Sequence, residues 1–319
     1  MRRDRKIMDH RSMDAGSCPA RQPRMYTTLI SAEELKALQA SGKPLMIFDC
    51  SFDLMNPAAG EEQYRKAHIP GAVYADLDTA LSDQGVVDPD GTHHPHPDAA
   101  SAGRHPLPSR EKFAMWLSSV GFANEMQAVV YDRQNSNYCG RLWWMLKWAG
   151  HDAVAVLDGG LQAWQAAGGE ATDRTEPSHF QSNFKLGRPL RSLATTQDVL
   201  RRLGQPAQTL IDARSAPRFK GEVEPLDPVA GHIPGALNRP SPQNTDADGR
   251  FKPAAQLKSE FEQLLAGRDP ASVVHHCGSG VSAVPNLVAM ELAGYAPTGL
   301  YAGSWSEWSR TPGLPVEKG

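Results

Sequence analysis

Nothing in this 319-residue sequence is spaced like a metal cage. Its four cysteines, Cys18, Cys50, Cys139 and Cys277, stand far apart, and no CxxC pair occurs. A structural zinc site needs clustered ligands, so that class is set aside. A chain this long with so few cysteines is not a disulfide scaffold either. No apolar run approaches the ~18 residues that span a bilayer. The net charge is only −3, so no broad basic field exists to attract nucleic acid or an anionic membrane. The chain reads as a soluble globular protein of a reducing compartment, taken here as the cytoplasm, with mostly buried free thiols.

The first 24 residues stand apart. They are polar and Arg-rich, with no apolar periodicity and no hydrophobic core of a secretory signal. Residues 1–24 are expected to be a disordered leader, or the product of an upstream start with Met25 as the usual one. The acidic Asp4, Asp9 and Asp14 argue against an organelle-targeting peptide.

What the chain does have is an internal duplication. The phrase FDCSF, with Asp49, leads to AHIPGA, with His68. The phrase IDARS, with Asp212, leads after a nearly equal interval to GHIPGA, with His232. Further on, AVVYD ends at Asp132 and SVVHHC ends at Cys277. Both are short apolar runs suited to buried parallel strands. A helical pattern follows each, over 141–151 and 281–295, and then a third strand pattern over 154–160 and 298–304. Strands alternating with helices imply right-handed crossovers and a parallel sheet. The fold class is therefore α/β, in two tandem units. The predicted boundaries are 25–170, a polar linker over 171–188, and 189–319.

The copies differ in two respects. The first carries a surplus of Pro, His and Asp over 86–108, which is expected to be largely loop. Its histidines His93, His94, His96 and His105 are irregularly spaced and read as solvated rather than metal-binding. The second difference is chemical: the strand-end position holds Asp132 in one copy and Cys277 in the other.

Cys277 opens the segment Cys277-Gly278-Ser279-Gly280-Val281-Ser282. A strand ends, a glycine-rich turn follows, and a helix begins. Such a curl can turn backbone N–H groups inward, and the helix N-terminus adds positive potential. A sulfur anion placed there is stabilised. The C-terminal end of a parallel strand is also where open α/β sheets place their sites. Cys50 and Cys139 lack this setting and read as buried filler.

The paired HIPGA motifs, the degenerate first copy, the CGSGVSA loop and the closing LYAGSWSEW (300–308) together resemble the tandem rhodanese family. That family comprises thiosulfate and 3-mercaptopyruvate sulfurtransferases, and the resemblance covers residues 25–319. It implies two rhodanese-like domains, each a mostly parallel sheet flanked by helices, with catalysis only in the second. Cys277 would carry sulfur as a persulfide. Gly278, Gly280, Val281 and Ser282 would complete the substrate-binding loop. Its neutral CGSG form resembles that of members favouring 3-mercaptopyruvate, in which the matching serine, here Ser279, joins a proton relay. Arg218 matches an arginine that holds the substrate carboxylate. A second arginine is expected in an E-P-R phrase, but this chain reads Glu224-Pro225-Leu226; Arg239 is a possible replacement. His68 matches a first-domain histidine of the cleft and is a candidate relay base, although its duplicate His232 also fits a plain turn motif. Glu61 and Glu62 are candidates for an accompanying acid. Arg214 is expected to pair with Asp212.

The resemblance further implies a small-molecule sulfur donor, a thiol, thioredoxin or cyanide acceptor, and no metal or organic cofactor. Thiosulfate as donor, or a persulfide carrier serving a protein partner, is the alternative. A phosphatase on the same scaffold would need an arginine closing a C-x5-R loop, and Ala283 stands there instead.

Overall fold

The computed structural model describes residues 25–88 and 93–319; the leader expected over 1–24 lies outside them. The first unit runs β1 (Leu29–Ile30), α1 (Ala32–Ala40), β2 (Leu45–Asp49), α2 (Ala58–Lys66), β3 (Ala72–Tyr74), a small antiparallel pair β4 (Val86–Val87) and β5 (His93–His94), α3 (Arg110–Ser119), β6 (Gln127–Tyr131), α4 (Cys139–Trp148), β7 (Val154–Leu157) and α5 (Gly160–Ala166). The second runs β8 (Ser192–Ala194), α6 (Thr196–Arg201), β9 (Thr209–Asp212), α7 (Ala216–Lys220), β10 (Leu237–Asn238), α8 (Ala254–Leu265), β11 (Val273–His276), α9 (Val284–Leu292), β12 (Gly299–Tyr301) and α10 (Ser304–Trp308).

Each unit builds one five-stranded sheet, ordered β1-β7-β6-β2-β3 and β8-β12-β11-β9-β10. All pairings within both sheets are parallel. Strand for strand the two orders are the same, so the duplication seen in the sequence is a duplication of topology. The central strands β2 and β6 are buried almost end to end, which is why their residues do not alternate with polar ones.

Three apolar cores hold the molecule. One lies on the outer face of each sheet, built round Tyr131 and Trp164 in the first unit and round Tyr301, Trp305 and Trp308 in the second. The third is shared: Leu142, Trp143 and Trp144 of α4 join the same cluster as Val284, Leu287 and Val288 of α9. Helix α4 lies between the two units, so every one of its ten residues is buried. An all-round buried helix is what its run RLWWMLKW, with few polar residues, requires. At Gly140 a side-chain carbon would sit 3.2 Å from Val284, so glycine here lets the two helices meet closely at their N-terminal ends.

The surplus stretch of the first unit is not a solvated loop throughout. After the β4–β5 pair, residues 103–108 fold inward, and Gly103, His105, Pro106, Leu107 and Pro108 are buried. The segment crosses to the second unit. The Ala102 N–H donates to Glu307 Oε2 at 3.0 Å, and the Arg104 N–H donates to Ser306 Oγ at 3.0 Å. Gly103 has φ +90°, and a side chain there would fall 2.5 Å from Ser306 Oγ and 2.8 Å from the Gly303 carbonyl. Only glycine fits that crossing.

Candidate active site

Cys277 lies at the C-terminal end of β11, buried, with its loop running to α9. The loop is braced by the closing motif of the chain. The Cys277 N–H donates to Ser304 Oγ at 3.1 Å, and the Cys277 carbonyl accepts from the Trp305 N–H at 3.0 Å. The Gly278 carbonyl accepts from the Ser306 N–H at 2.8 Å. Gly280 turns through φ +74°, and a side chain there would meet the Ala302 carbonyl at 2.2 Å. Glycine at position 280 is therefore a geometric necessity of the curl.

The first copy displays what such a curl can hold. Asp132 ends β6 as Cys277 ends β11, and α4 and α9 begin the same step beyond them. Asp132 Oδ1 accepts from the N–H groups of Gln134 and Ser136, both at 2.9 Å. Its Oδ2 accepts from Tyr138 at 2.8 Å and Cys139 at 2.9 Å. Burial pushes this carboxyl above its usual range, while the four donors pull the other way. Four peptide N–H groups thus converge on one carboxyl group, at the position equivalent to the sulfur.

Round Cys277 the first domain supplies polar groups. His105 Nδ1 is 2.7 Å from Ser279 Oγ, and His105 Nε2 is 3.5 Å from Asp78 Oδ1. Asp78 itself is held by Gln84 at 2.8 Å, and burial, with Asp76 nearby, raises its carboxyl. A serine, a histidine and a carboxylate thus stand in line beside Cys277. On the other flank, a methyl group at Gly278 would sit 3.1 Å from Arg104 Nη2 and 3.6 Å from Arg218 Nη1. Buried Asp227 ties these arginines together: it accepts from Arg104 Nη1 at 2.8 Å and Arg310 Nη1 at 2.9 Å, and lies 3.4 Å from Arg218 Nη2. Arg104, His105, Arg218, Gly278, Ser279, Val281 and Ser282 line a cleft of about 60 Å³. A larger hollow, about 530 Å³, lies at the opposite end of β9 near Gln208 and Arg268, with no cysteine or histidine in its walls.

The model of the rhodanese-like domain matches the chain twice, over residues 31–167 and 195–311. The chain belongs to the rhodanese-like family. It is 44% identical over 301 residues to a Pseudomonas aeruginosa protein named "Probable 3-mercaptopyruvate sulfurtransferase", covering 91% of this chain and 98% of that one. It is 30% identical to the thiosulfate sulfurtransferase of Rattus norvegicus over 297 residues, covering 90% and 93%. The 3-mercaptopyruvate sulfurtransferase from Leishmania major superposes with a TM-score of 0.73 at 30% identity, over 89% of this chain and 74% of that one. The expected family, the two-domain α/β fold and the sulfurtransferase class are borne out by these matches.

In this rhodanese-like frame several residues stand elsewhere than the sequence suggested. His68 points into its own domain. Its Nδ1 lies 2.7 Å from the Tyr64 carbonyl and its Nε2 3.2 Å from Glu176. His232 repeats the arrangement with the Phe219 carbonyl and Glu317, which is the turn role of the HIPG motif. Glu61 pairs with Arg65 on an exposed helix face. Arg239 is buried against Asn244 and Glu260 and does not line the cleft. Arg214 pairs with Asp212 at 2.7 Å, as expected. The groups that sequence reasoning missed are Arg104, Asp78 and His105. The available signal was the surplus itself, since a long ordered insertion in one copy is more often functional than idle.

Two further histidines precede Cys277 on β11. His275 packs against Met290 with Nε2 3.3 Å from the sulfur, and burial drives its pKa down to about 3. His276 is also lowered by burial, despite Asp212 4.0 Å away. Among the described residues no helix is long and apolar enough to cross a membrane.

Proposed function

We propose that the protein moves a sulfur atom from 3-mercaptopyruvate, through a persulfide on Cys277, to a thiol or cyanide acceptor. The observation that carries the donor assignment is the 2.7 Å contact between His105 and Ser279 in an uncharged CGSG loop. The Cys277 thiolate attacks the donor sulfur, and the bond from that sulfur to the substrate methylene breaks. The electron pair leaves as the enolate of pyruvate, which needs a proton on carbon. The donor's own S–H proton supplies it, and Ser279, His105 and Asp78 form the relay that passes it on. The sulfur stays as an anionic persulfide in the backbone cradle.

Arg104 and Arg218 would hold the substrate carboxylate, as a guanidinium fork suits such a group. Arg104 Nε is buried with no hydrogen-bond partner, a donor left over for the substrate. On this reading Arg104 takes the part of the arginine that Leu226 replaces. In the second half-reaction an acceptor thiolate or cyanide attacks the outer sulfur, forms the new bond to it, and returns Cys277 as thiolate. A small thiol, thioredoxin or cyanide would serve, and a cytoplasmic setting suits free thiols.

Thiosulfate is the second reading. The same two guanidiniums would suit its sulfonate, and sulfite would leave with the bonding electron pair and no carbanion to protonate. The comparison of kcat/KM for the two donors tests the choice. A higher value for 3-mercaptopyruvate is expected; a strong thiosulfate preference overturns the assignment. Failure to detect a gain of about 32 Da, one sulfur atom, on Cys277 after either donor would overturn the persulfide itself.

A further inference from the structure

Resting on the persulfide reading above, we propose that Arg141, on α4 of the non-catalytic domain, is the positioning residue that supplies the countercharge for the Cys277 sulfur anion.

Arg141 is completely buried between the domains. Its Nη1 donates to the Gly280 carbonyl at 3.2 Å, inside the nucleophile loop. Its Nη2 donates to the His105 carbonyl at 3.1 Å and to the Leu81 carbonyl at 3.3 Å. One side chain therefore ties the loop that carries Cys277 to the segment that carries the relay histidine.

Its charge is the unusual feature. A buried guanidinium stays protonated, and a buried charge needs a counter-ion. The other arginines buried to a similar degree each have a carboxylate close by: Arg191 has Glu291 at 2.6 Å, Arg214 has Asp212 at 2.7 Å, and Arg239 has Glu260 at 2.8 Å. No such ion pair exists for Arg141 among the described residues; its partners are three neutral carbonyls. Burial brings its pKa down to about 10, and the group that opposes this is Cys277. A positive charge without an acid has been placed where a thiolate, and then a persulfide, must sit. Three carbonyls offset part of the cost of burying the cation; an anionic sulfur offsets more of it, and the sulfur gains by the same coupling. The other charged groups near the loop are Arg104 and Arg218 beside Gly278, His105 on Ser279, and His276 with Asp212 behind β11. Arg104 is paired with Asp227 at 2.8 Å, and Arg218 with Glu224 at 2.6 Å and Asp227 at 3.4 Å.

The test compares Arg141→Gln and Arg141→Lys with the wild-type full chain. The readout is the rate of iodoacetamide alkylation at Cys277, mapped by mass spectrometry, at pH 7 and at pH 9, where the Arg141 guanidinium is still largely protonated. Thiolate displaces iodide, so a lost countercharge slows the reaction most at pH 7 and less at pH 9, whereas lost access slows it equally at both. Arg141→Gln is expected to slow the pH 7 rate at least tenfold with a clearly smaller loss at pH 9, and Arg141→Lys to stay within about threefold of wild type. An unchanged pH 7 rate in Arg141→Gln, or equal losses at both pH values, overturns the proposal and leaves a packing role. Where Arg141→Gln does not fold, Arg141→Lys decides alone: a rate near wild type supports the charge, and a tenfold loss at pH 7 overturns it. Absence of persulfide on wild-type Cys277 would instead sink the underlying reading, and it is read separately by mass.

Discussion

His105 belongs to the first domain and Ser279 to the second, yet His105 Nδ1 stands 2.7 Å from the Ser279 hydroxyl. The histidine is buried and is aligned on its far side by Asp78. The proposed relay, assembled across a domain boundary, would work only while both domains keep their relative placement. Replacing His105 by Asn is expected to lower kcat for 3-mercaptopyruvate by about 10²–10⁴, the usual scale for a general acid–base group. Thiosulfate turnover should fall much less, because sulfite leaves without a proton on carbon. His68→Asn should leave both donors within a few fold. Equal losses for the two donors in His105→Asn would remove the relay.

Arg104 and Arg218 flank Gly278 from different domains. Truncating either to Ala should raise KM for 3-mercaptopyruvate by about 10- to 100-fold, the scale of one charge-assisted hydrogen bond at roughly 1.5–3 kcal/mol. Leu226→Ala should do nothing comparable, since Leu226 does not line the cleft and its backbone N–H, which donates to Glu224 at 3.1 Å, is kept in the variant. Steady-state kinetics on the single variants, and on the double variant, would check it. An unchanged KM in Arg104→Ala removes that residue from the carboxylate clamp.

Burial pushes the thiols of Cys50 and Cys139 well above their ordinary range, with nearby Asp49 and Asp132 adding to the shift. Both should therefore remain protonated at neutral pH and resist alkylation in the folded protein. Cys277→Ser is expected to abolish transfer, while Cys50→Ser and Cys139→Ser retain it. Sulfur found by mass spectrometry on either buried thiol would contradict the assignment.

His275 carries a stability prediction. Its folded pKa is about 3, against an ordinary value of 6.5. As pH falls below 6.5 the unfolded chain takes up a proton that the folded chain refuses. Stability should therefore drop between pH 6.5 and 3, by up to ~1.4 kcal/mol per pH unit from this group. Urea midpoints at pH 7 and pH 4.5 would show it. His275→Leu should flatten the dependence, and an equal slope in wild type and variant would refute the burial argument.

Much of the fold was legible because the same apolar strands recur in both halves. Asp49 and Asp212, Asp132 and Cys277 mark matching strand ends, and the structure places β2 with β9 and β6 with β11 in equivalent positions. The Cys277 loop was readable too, since glycine and a following helix leave few backbone choices. The partners of the loop were not. His105 lies far from Ser279 in sequence, and its surroundings of Pro and Asp look like those of a solvated turn. Only the tertiary crossing at Gly103 brings it inward. His68 misled for the opposite reason: a motif that occurs twice marks what both domains need, which is a turn, rather than what one active site needs.

The half of the molecule with Asp132 in place of a cysteine has no thiol at that strand end, yet its side chains reach the Cys277 loop. It donates Arg104, His105 and Arg141 to its sibling. On the proposed reading each copy holds pieces of one site, and severing the two would part the Cys277 loop from the histidine and the arginines that reach it.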